Sequence, residues 1–444
     1  MSKKVRQRER STVRHNRAIQ LDRSKRPSAA PPDQAIQDQL TELIKPATFT
    51  LVDAFRAMGL RHRVLTLPVM VAFVLSLIWR QIGSVTDAVR ALNEAGVLWV
   101  EPLQVTQQAV SERLRIFPAE LFYRVLTDIL PRMRQRWQER KRPLAPVLAW
   151  AQQQFGAVYA LDGSTLDVLL RKVDLLRDAQ EAPLAGRMAA LLDVITNLPE
   201  QIWYEEDSTA HDHSFWERVL GTLKRGTLLI FDLGFIDYGL FDRLTQMGIW
   251  FLTRAKQNAA YEVITTLHSS TELRDRIVWL GAGNRRCPRP LRLVEWLHKG
   301  RWYRYVTNVV DPEQLPAQYA VALYWQRWRI EDAFKLAKRL LGLAYFWVGS
   351  INGVQLQLWA TWLLYAVLVD LTDAVAEELN RPFQALSMEM VFRALPHFTH
   401  AYDRGRATDP VHYLAEKAKL MGIIKQKRKP SPGELIFALV PSGP

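Results

Sequence analysis

The 444 residues hold a single cysteine, Cys287, which excludes an intramolecular disulfide and fits a reducing cytoplasm. No Gly-x4-Gly-Lys-Ser/Thr loop occurs, so nothing points to nucleotide hydrolysis. No internal repeat is found, which argues against a solenoid or propeller. Long apolar runs are scarce as well. Val64 to Trp79 carries Pro68 and falls short of the ~18–20 residues that a membrane span needs. Leu358 to Val369 is shorter still and ends at Asp370. Both read as core helices, and no membrane partner is expected. The basic N-terminus has no apolar stretch behind it, so no secretory leader is expected. Acidic charge is in the minority, with 45 Asp and Glu against 59 Lys and Arg.

The resulting net charge of +14 points to a polyanionic partner, nucleic acid before membrane. Residues 1–26 carry ten Lys or Arg against two acids, +8 of that total. The composition, 48% hydrophobic, is enough for two or three cores. Residues 1–34 are polar and basic and end near Ser28-Ala-Ala-Pro-Pro, the composition of a disordered arm. Residues 35–145 follow a helical period: Ile36–Ile44, Leu51–Met58, Pro68–Trp79, Val85–Ala95, Thr106–Leu114 and Pro118–Met133, with breaks at Gly59, Gly83 and Gly96. A helical domain behind a basic arm is a common DNA-binding layout, and Val105–Arg115 is a candidate for presentation to a groove. The basic run Arg132–Arg142 leads into Pro143 and Pro146 and reads as a linker.

Beyond Ala149 strand patterns take over: Ala157–Leu161, Met188–Ile195, Gln201–Tyr204, Thr227–Phe231 and Ile249–Thr253. Helices are expected at His213–Leu223 and Ile236–Met247. Early strands followed by strand–helix alternation indicate a mixed α/β sheet. Residues 258–304 interrupt the alternation with Ile277–Leu280, a Gly281-Ala-Gly-Asn turn and Leu291–Trp296. Together with Trp302–Val306 they suggest a small β-rich insert. From Gln314 the chain reads as helical, up to a Pro/Gly-punctuated tail after Lys425.

The chemistry concentrates in Tyr324 to Lys338. At about 100° per residue, Tyr324, Arg327, Glu331 and Lys338 share an arc of roughly 60° on one helix. Ile330, Ala333, Phe334, Ala337, Leu340 and Leu341 form the adjoining apolar face. A carboxylate there can ligate Mg²⁺, and the cations and phenol can hold phosphate oxygens. The plainer alternative is a solvated face with i,i+4 ion pairs. Two further acids stand at the ends of apolar strands: Asp162, before Gly163-Ser164, and Asp232, before Leu233-Gly234-Phe235. Strand ends in α/β sheets are favoured ligand sites, although each aspartate alone is equally an Asx-turn or helix cap. Three hard oxygen ligands suit a pair of Mg²⁺ ions, with Mn²⁺ as a substitute.

On these residues the chain resembles bacterial insertion-sequence transposases of the IS-four type. Tyr324, Arg327, Glu331 and Lys338 match the Tyr-x2-Arg-x3-Glu-x6-Lys motif of that family. Asp162-Gly-Ser and Asp232-Leu-Gly-Phe are similar to its two aspartate motifs, and Phe251-Leu-Thr-Arg254 to a strand end. The resemblance implies an RNase H-like catalytic core in two parts, 150–257 and 305–380, split by the β-rich insertion 258–304. The helical N-terminal DNA-binding domain 35–145 would precede it and a C-terminal helical region, 381–444, would follow. It also implies a cut-and-paste DDE transposase acting on double-stranded DNA as a dimeric synapse, in the nucleoid-associated cytoplasm. Asp162, Asp232 and Glu331 would hold two divalent metals; Tyr324, Arg327 and Lys338 would grip phosphates near the scissile bond. Trp328 is a candidate for stacking on a flipped base, with Trp296 and Trp302 as further ones. Arg254 and Lys256 are candidates for DNA-backbone contact. Glu205-Glu206-Asp207 with His211, Asp212 and His213 reads as a solvated polar loop. Arg285-Arg286 and Lys425–Lys429 are either DNA contacts or solvated charge. Two rival functions are a non-catalytic DNA-binding regulator and an RNase H-like nuclease that cuts without joining.

Overall fold

The computed structural model describes residues 34–59, 64–82, 84–166, 186–207, 210–283, 286–341, 350–426 and 436. The expected basic arm, Gly83, Asn284, Arg285 and most of the Lys425–Lys429 cluster lie outside these residues.

The N-terminal part is helical: α1 Gln34–Leu43, α2 Lys45–Thr50, α3 Val52–Ala57, α4 Leu67–Trp79, α5 Val85–Glu94, α6 Gln107–Ile116, α7 Ala119–Glu139 and α8 Pro146–Gln154. Local chemistry fixes several boundaries. Ser84 and Thr106 cap α5 and α6 by accepting hydrogen bonds from Asp87 N and Ala109 N. Helix α4 is apolar on every side and is buried along almost its whole length. The expected linker differs from the sequence reading. Helix α7 runs on through Pro131 to Glu139, and Pro146 opens α8 from its first turn, a position where proline's missing N–H is no loss. Arg113 of α6 packs inward: Nη2 donates to Leu65 O at 3.2 Å, and its guanidinium lies over Phe55 and Phe117.

The sheet has nine strands in the order β3-β2-β1-β4-β5-β9-β8-β7-β6. They are β1 Ala157–Thr165, β2 Arg187–Asp193, β3 Pro199–Glu205, β4 Thr227–Phe231, β5 Trp250–Arg254, β6 Tyr261–Ser269, β7 Leu273–Leu280, β8 Leu291–His298 and β9 Arg301–Thr307. Strands β1, β4 and β5 are parallel and the rest antiparallel. The β-rich segment is therefore not a detached lobe but an extension of the same sheet, joined where Leu252 pairs with Thr307. Between β3 and β5 run α9 Trp216–Leu220 and α10 Tyr238–Gln246; after the sheet come α11 Ala317–Gln326, α12 Trp328–Lys335, α13 Ile351–Glu378, α14 Met388–Asp403 and α15 Pro410–Glu416.

Period-2 alternation sorts the central strands between two cores. Ala160, Leu228, Ile230 and Leu252 face the N- and C-terminal helices. Leu161, Leu229, Phe231 and Phe251 face α9 and α10. The first core includes residues from Leu40 to Ile436, so the N-terminal helices pack in one interior with α13. That helix is long and apolar enough to cross a membrane by length and composition, but 94% of its apolar window is buried inside the protein. It does not stop at Asp370, because arginines just beyond α7 neutralise its acids. Arg140 reaches Asp370 at 2.8 Å and Asp373 at 2.9 Å, and Arg142 also pairs with Asp373. Asp373→Ala would leave two buried arginines short of a partner. We expect a loss of about 3 kcal/mol, read as a lowered urea midpoint at unchanged slope.

Candidate active site

The register of β1 and β4 brings the two aspartates together. Leu161 pairs with Phe231 in parallel, so the next residues on the two strands, Asp162 and Asp232, emerge side by side. The plain alternative of a cap holds for Asp232 alone; Asp162 does not close its strand, because β1 runs on through it to Thr165. Asp162 Oδ1 accepts from Gly163 N at 2.9 Å, and Asp232 Oδ1 accepts from Leu233 N at 2.6 Å, capping the 3-10 turn Leu233–Phe235. Those bonds orient each carboxylate, and its other oxygen faces Arg327.

Glu331 arrives on α12. Arg292, fully buried in β8, pairs with Asp275 and donates to Leu315 O at 2.6 Å, tying the extended sheet to the start of α11. Arg329 ties α12 to the β2–β3 turn through Val194 O at 3.1 Å and Asn197 Oδ1 at 2.9 Å. Burial pulls the Arg329 pKa down to about 10. Helices α11 and α12 meet at Arg327, whose backbone keeps helical angles, so the one-face arrangement of Tyr324, Arg327 and Glu331 survives the junction. Beyond α12 the chain enters a π-helical turn, Leu336–Leu340, a feature that often marks functional sites. Lys338 sits in that turn, and its Nζ donates to Ser164 Oγ of the first aspartate motif.

Arg327 is the centre of the cluster. Its side chain is only 4% exposed, and Nη1 reaches Asp162 Oδ2 at 3.0 Å while Nη2 reaches Glu331 Oε1 at 2.8 Å and Asp232 Oδ2 at 3.5 Å. The i,i+4 ion pair anticipated as the plain alternative exists, but it is buried and shared with two other acids. Burial alone would lower the Arg327 pKa; Tyr324, Asp232, Asp162 and Glu331 outweigh it, and the pKa lies above the ordinary value. Tyr324 is likewise buried, its hydroxyl 3.4 Å from Asp232 Oδ1, and burial raises its pKa. Asp162 is pushed up to about 6, first by burial and then by Glu331 and Asp232, with Arg327 and the Gly163 N–H pulling the other way.

Among the described residues, no group of three or more His, Cys, Asp and Glu side chains is gathered at metal-ligand spacing. The three acids gather instead around a guanidinium. Three carboxylates facing one positive group leave negative charge in excess, and an all-oxygen donor set fits Mg²⁺ or Mn²⁺.

The remaining candidates divide. Trp328 is 44% exposed and stacks on Trp325 at 6.4 Å between ring centroids. Trp296 is buried and stacks on His298 at 4.8 Å, so it is a core residue and unavailable to a base. Trp302 is covered by Arg274 at 4.2 Å. Arg254 and Lys256 line a cavity of about 540 Å³ together with Asn258 and Arg286, and no acid is among its lining residues. The sequence reading missed Asp212, whose carboxylate packs against both aspartate motifs.

Residues 185–367 match the family described as Transposase DDE domain. That span contains Asp232, Tyr324, Arg327, Glu331 and Lys338, and Asp162 lies upstream of it. A 167-residue stretch is 30% identical to a Sinorhizobium fredii (strain NBRC 101917 / NGR234) protein named as a transposase, y4zB; the match covers 36% of this chain and 45% of the relative. The chain thus spans less than half the length of that relative. Over residues 185–367 the chain is thus similar to the Transposase DDE domain.

Proposed function

We propose that the chain is a cut-and-paste DDE transposase of the IS-four type. The observation that carries this reading is the meeting of Asp162, Asp232 and Glu331 around one buried arginine, drawn from three separate elements. The strand order β3-β2-β1-β4-β5, with β1, β4 and β5 parallel, supports an RNase H-like core. The helices of residues 34–154 would serve DNA binding, and two copies would hold two element ends in a synapse.

Asp162, Asp232 and Glu331 are the residues that would hold two Mg²⁺ ions, which supply Lewis-acid activation of the attacking hydroxyl and neutralise the leaving oxygen. The chain's own groups do the rest. Lys338, beside Ser164, and the Tyr324 hydroxyl, beside Asp232, would contact phosphate oxygens next to the acids. Arg254 and Lys256 extend positive charge along the cavity beyond the β5 end, a track for the DNA backbone. In the reaction, water opens a P–O bond at the element end and releases a 3′-OH. That hydroxyl then takes part in successive transesterifications, the last of them on a target phosphodiester, and in each step one P–O bond forms as another breaks.

A joining assay with pre-cut ends and plasmid target tests the reading: strand-transfer product is expected with Mg²⁺, and cutting without joining would instead identify a nuclease. A smaller test concerns Trp328. Its half-exposed ring gives a base a stacking surface worth about 1–3 kcal/mol. Trp328→Ala is therefore expected to weaken binding of DNA with an unpaired end roughly tenfold or more, while thermal stability stays near wild type.

A further inference from the structure

Asp212 opens a 3-10 turn, Asp212–Phe215, that leads into α9. Phe215 and Trp216 anchor this turn; the Trp216 ring packs on Phe231 at 5.4 Å and Phe235 at 5.6 Å, below the Asp232 loop. From there the Asp212 carboxylate reaches between the two aspartate motifs. A Cβ placed on Gly163 would lie 2.3 Å from Asp212 Oδ1, and one placed on Gly234 would lie 2.7 Å from Oδ2. Each motif glycine therefore leaves room for one oxygen of the same carboxylate. The carboxylate is not free to swing away. Arg187, at the start of β2, donates Nη1 to Ala210 O at 2.8 Å and pairs through Nη2 with Asp212. Both side chains are about four-fifths buried, at 18% and 19% exposed.

We propose that Asp212, clamped by Arg187, is the positioning residue that sets the spacing between the Asp162 and Asp232 loops. Its effect on the acids passes through Gly163 and Gly234. The inference rests on the triad reading above. It also assigns a structural reason to the glycine in each motif: a side chain at either place displaces the carboxylate that both loops lean on.

The test uses full-length protein and two readouts, Mn²⁺ binding to the free enzyme followed by electron paramagnetic resonance, and single-turnover cleavage of a plasmid carrying the element ends. Asp212→Ala and Gly163→Ala should each weaken Mn²⁺ binding roughly tenfold or more, the scale for a residue supporting metal ligands. Each should slow cleavage about 10²-fold, as expected for a misplacement near 1 Å, with DNA affinity unchanged. In the double variant the losses should not add, because both changes break one contact. Asp212→Asn keeps the side chain's size and separates charge from shape, and its circular dichroism melt guards against simple unfolding. Wild-type Mn²⁺ affinity in both Asp212→Ala and Asp212→Asn would overturn the proposal, as would additive losses in the double variant. Glu331→Gln distinguishes the two levels. If it still cleaves, the triad reading falls and the positioning role with it; if it is inert while Asp212→Ala behaves as wild type, only the positioning role falls.

Discussion

Glu331→Gln is expected to lower Mg²⁺-dependent cleavage on the order of 10³-fold or more, the scale of losing several kcal/mol of metal-assisted charge stabilisation, while the metal-free protein melts at or above the wild-type temperature. The two halves of this expectation come from the same geometry. Glu331 is one of three carboxylates around Arg327, 2.8 Å from Nη2, and the amide of glutamine still offers that nitrogen an acceptor oxygen. What disappears is one negative charge from a cluster with too many, a charge that also helps to raise the Asp162 pKa. Relieving such crowding stabilises the fold at the expense of the site's chemistry. A residue with only a packing role would lose stability and activity together. Calorimetry without metal and a cleavage time course with Mg²⁺ decide the matter. Cleavage near the wild-type rate would remove Glu331 from the catalytic set.

Much of this site was readable before any coordinates. Leu161-Asp162 and Phe231-Asp232 announce themselves as acids following apolar strand residues; β4 does end before Asp232, whereas β1 runs on to Thr165, and parallel pairing of the two strands makes the acids neighbours. The one-face spacing of Tyr324, Arg327 and Glu331 is a property of a helix. The direction in which Arg327 points was not readable. Its spacing suggests a guanidinium offered to phosphate, yet its partners come from two strands far away in sequence. Asp212 was set aside as part of a polar loop for the same reason, since Gly163, Gly234 and Arg187 meet it only in three dimensions. Fold features were missed where a neighbour decides the outcome. Strand β6 is exposed along nearly its whole length, so no buried face imprints alternation on its sequence. Helix α13 runs past Asp370 because Arg140, just beyond α7, meets its acids there.

Arg327→Met carries the largest expected effect on stability. The methionine fills part of the volume but leaves Asp162, Asp232 and Glu331 facing each other with no positive group among them. Removing one partner of a buried ion pair costs about 3–5 kcal/mol, and a guanidinium serving three acids belongs at the upper end. The loss should depend on pH in a defined direction. Asp162 already sits at about 6, above its ordinary 3.8, with Arg327 holding it down; without Arg327 it rises further. A carboxyl whose pKa is higher folded than unfolded binds its proton more tightly in the folded state. Its stabilising effect is complete below 3.8 and is lost as pH rises through 6 and beyond. The metal-free variant should therefore be more stable at about pH 5 than at pH 8, and the gap should exceed that of wild type. A divalent cation should supply the missing charge. At about 100 times its dissociation constant, Mg²⁺ would return about 2.7 kcal/mol, and it should stabilise the variant more than wild type, where the guanidinium already occupies the acids. Urea titrations at the two pH values, with a chelator and with Mg²⁺, measure all three effects. Equal stability of variant and wild type under chelation would refute the view that Arg327 neutralises the triad. A Mg²⁺ response no larger than that of wild type would show that the three carboxylates do not together form the cation site.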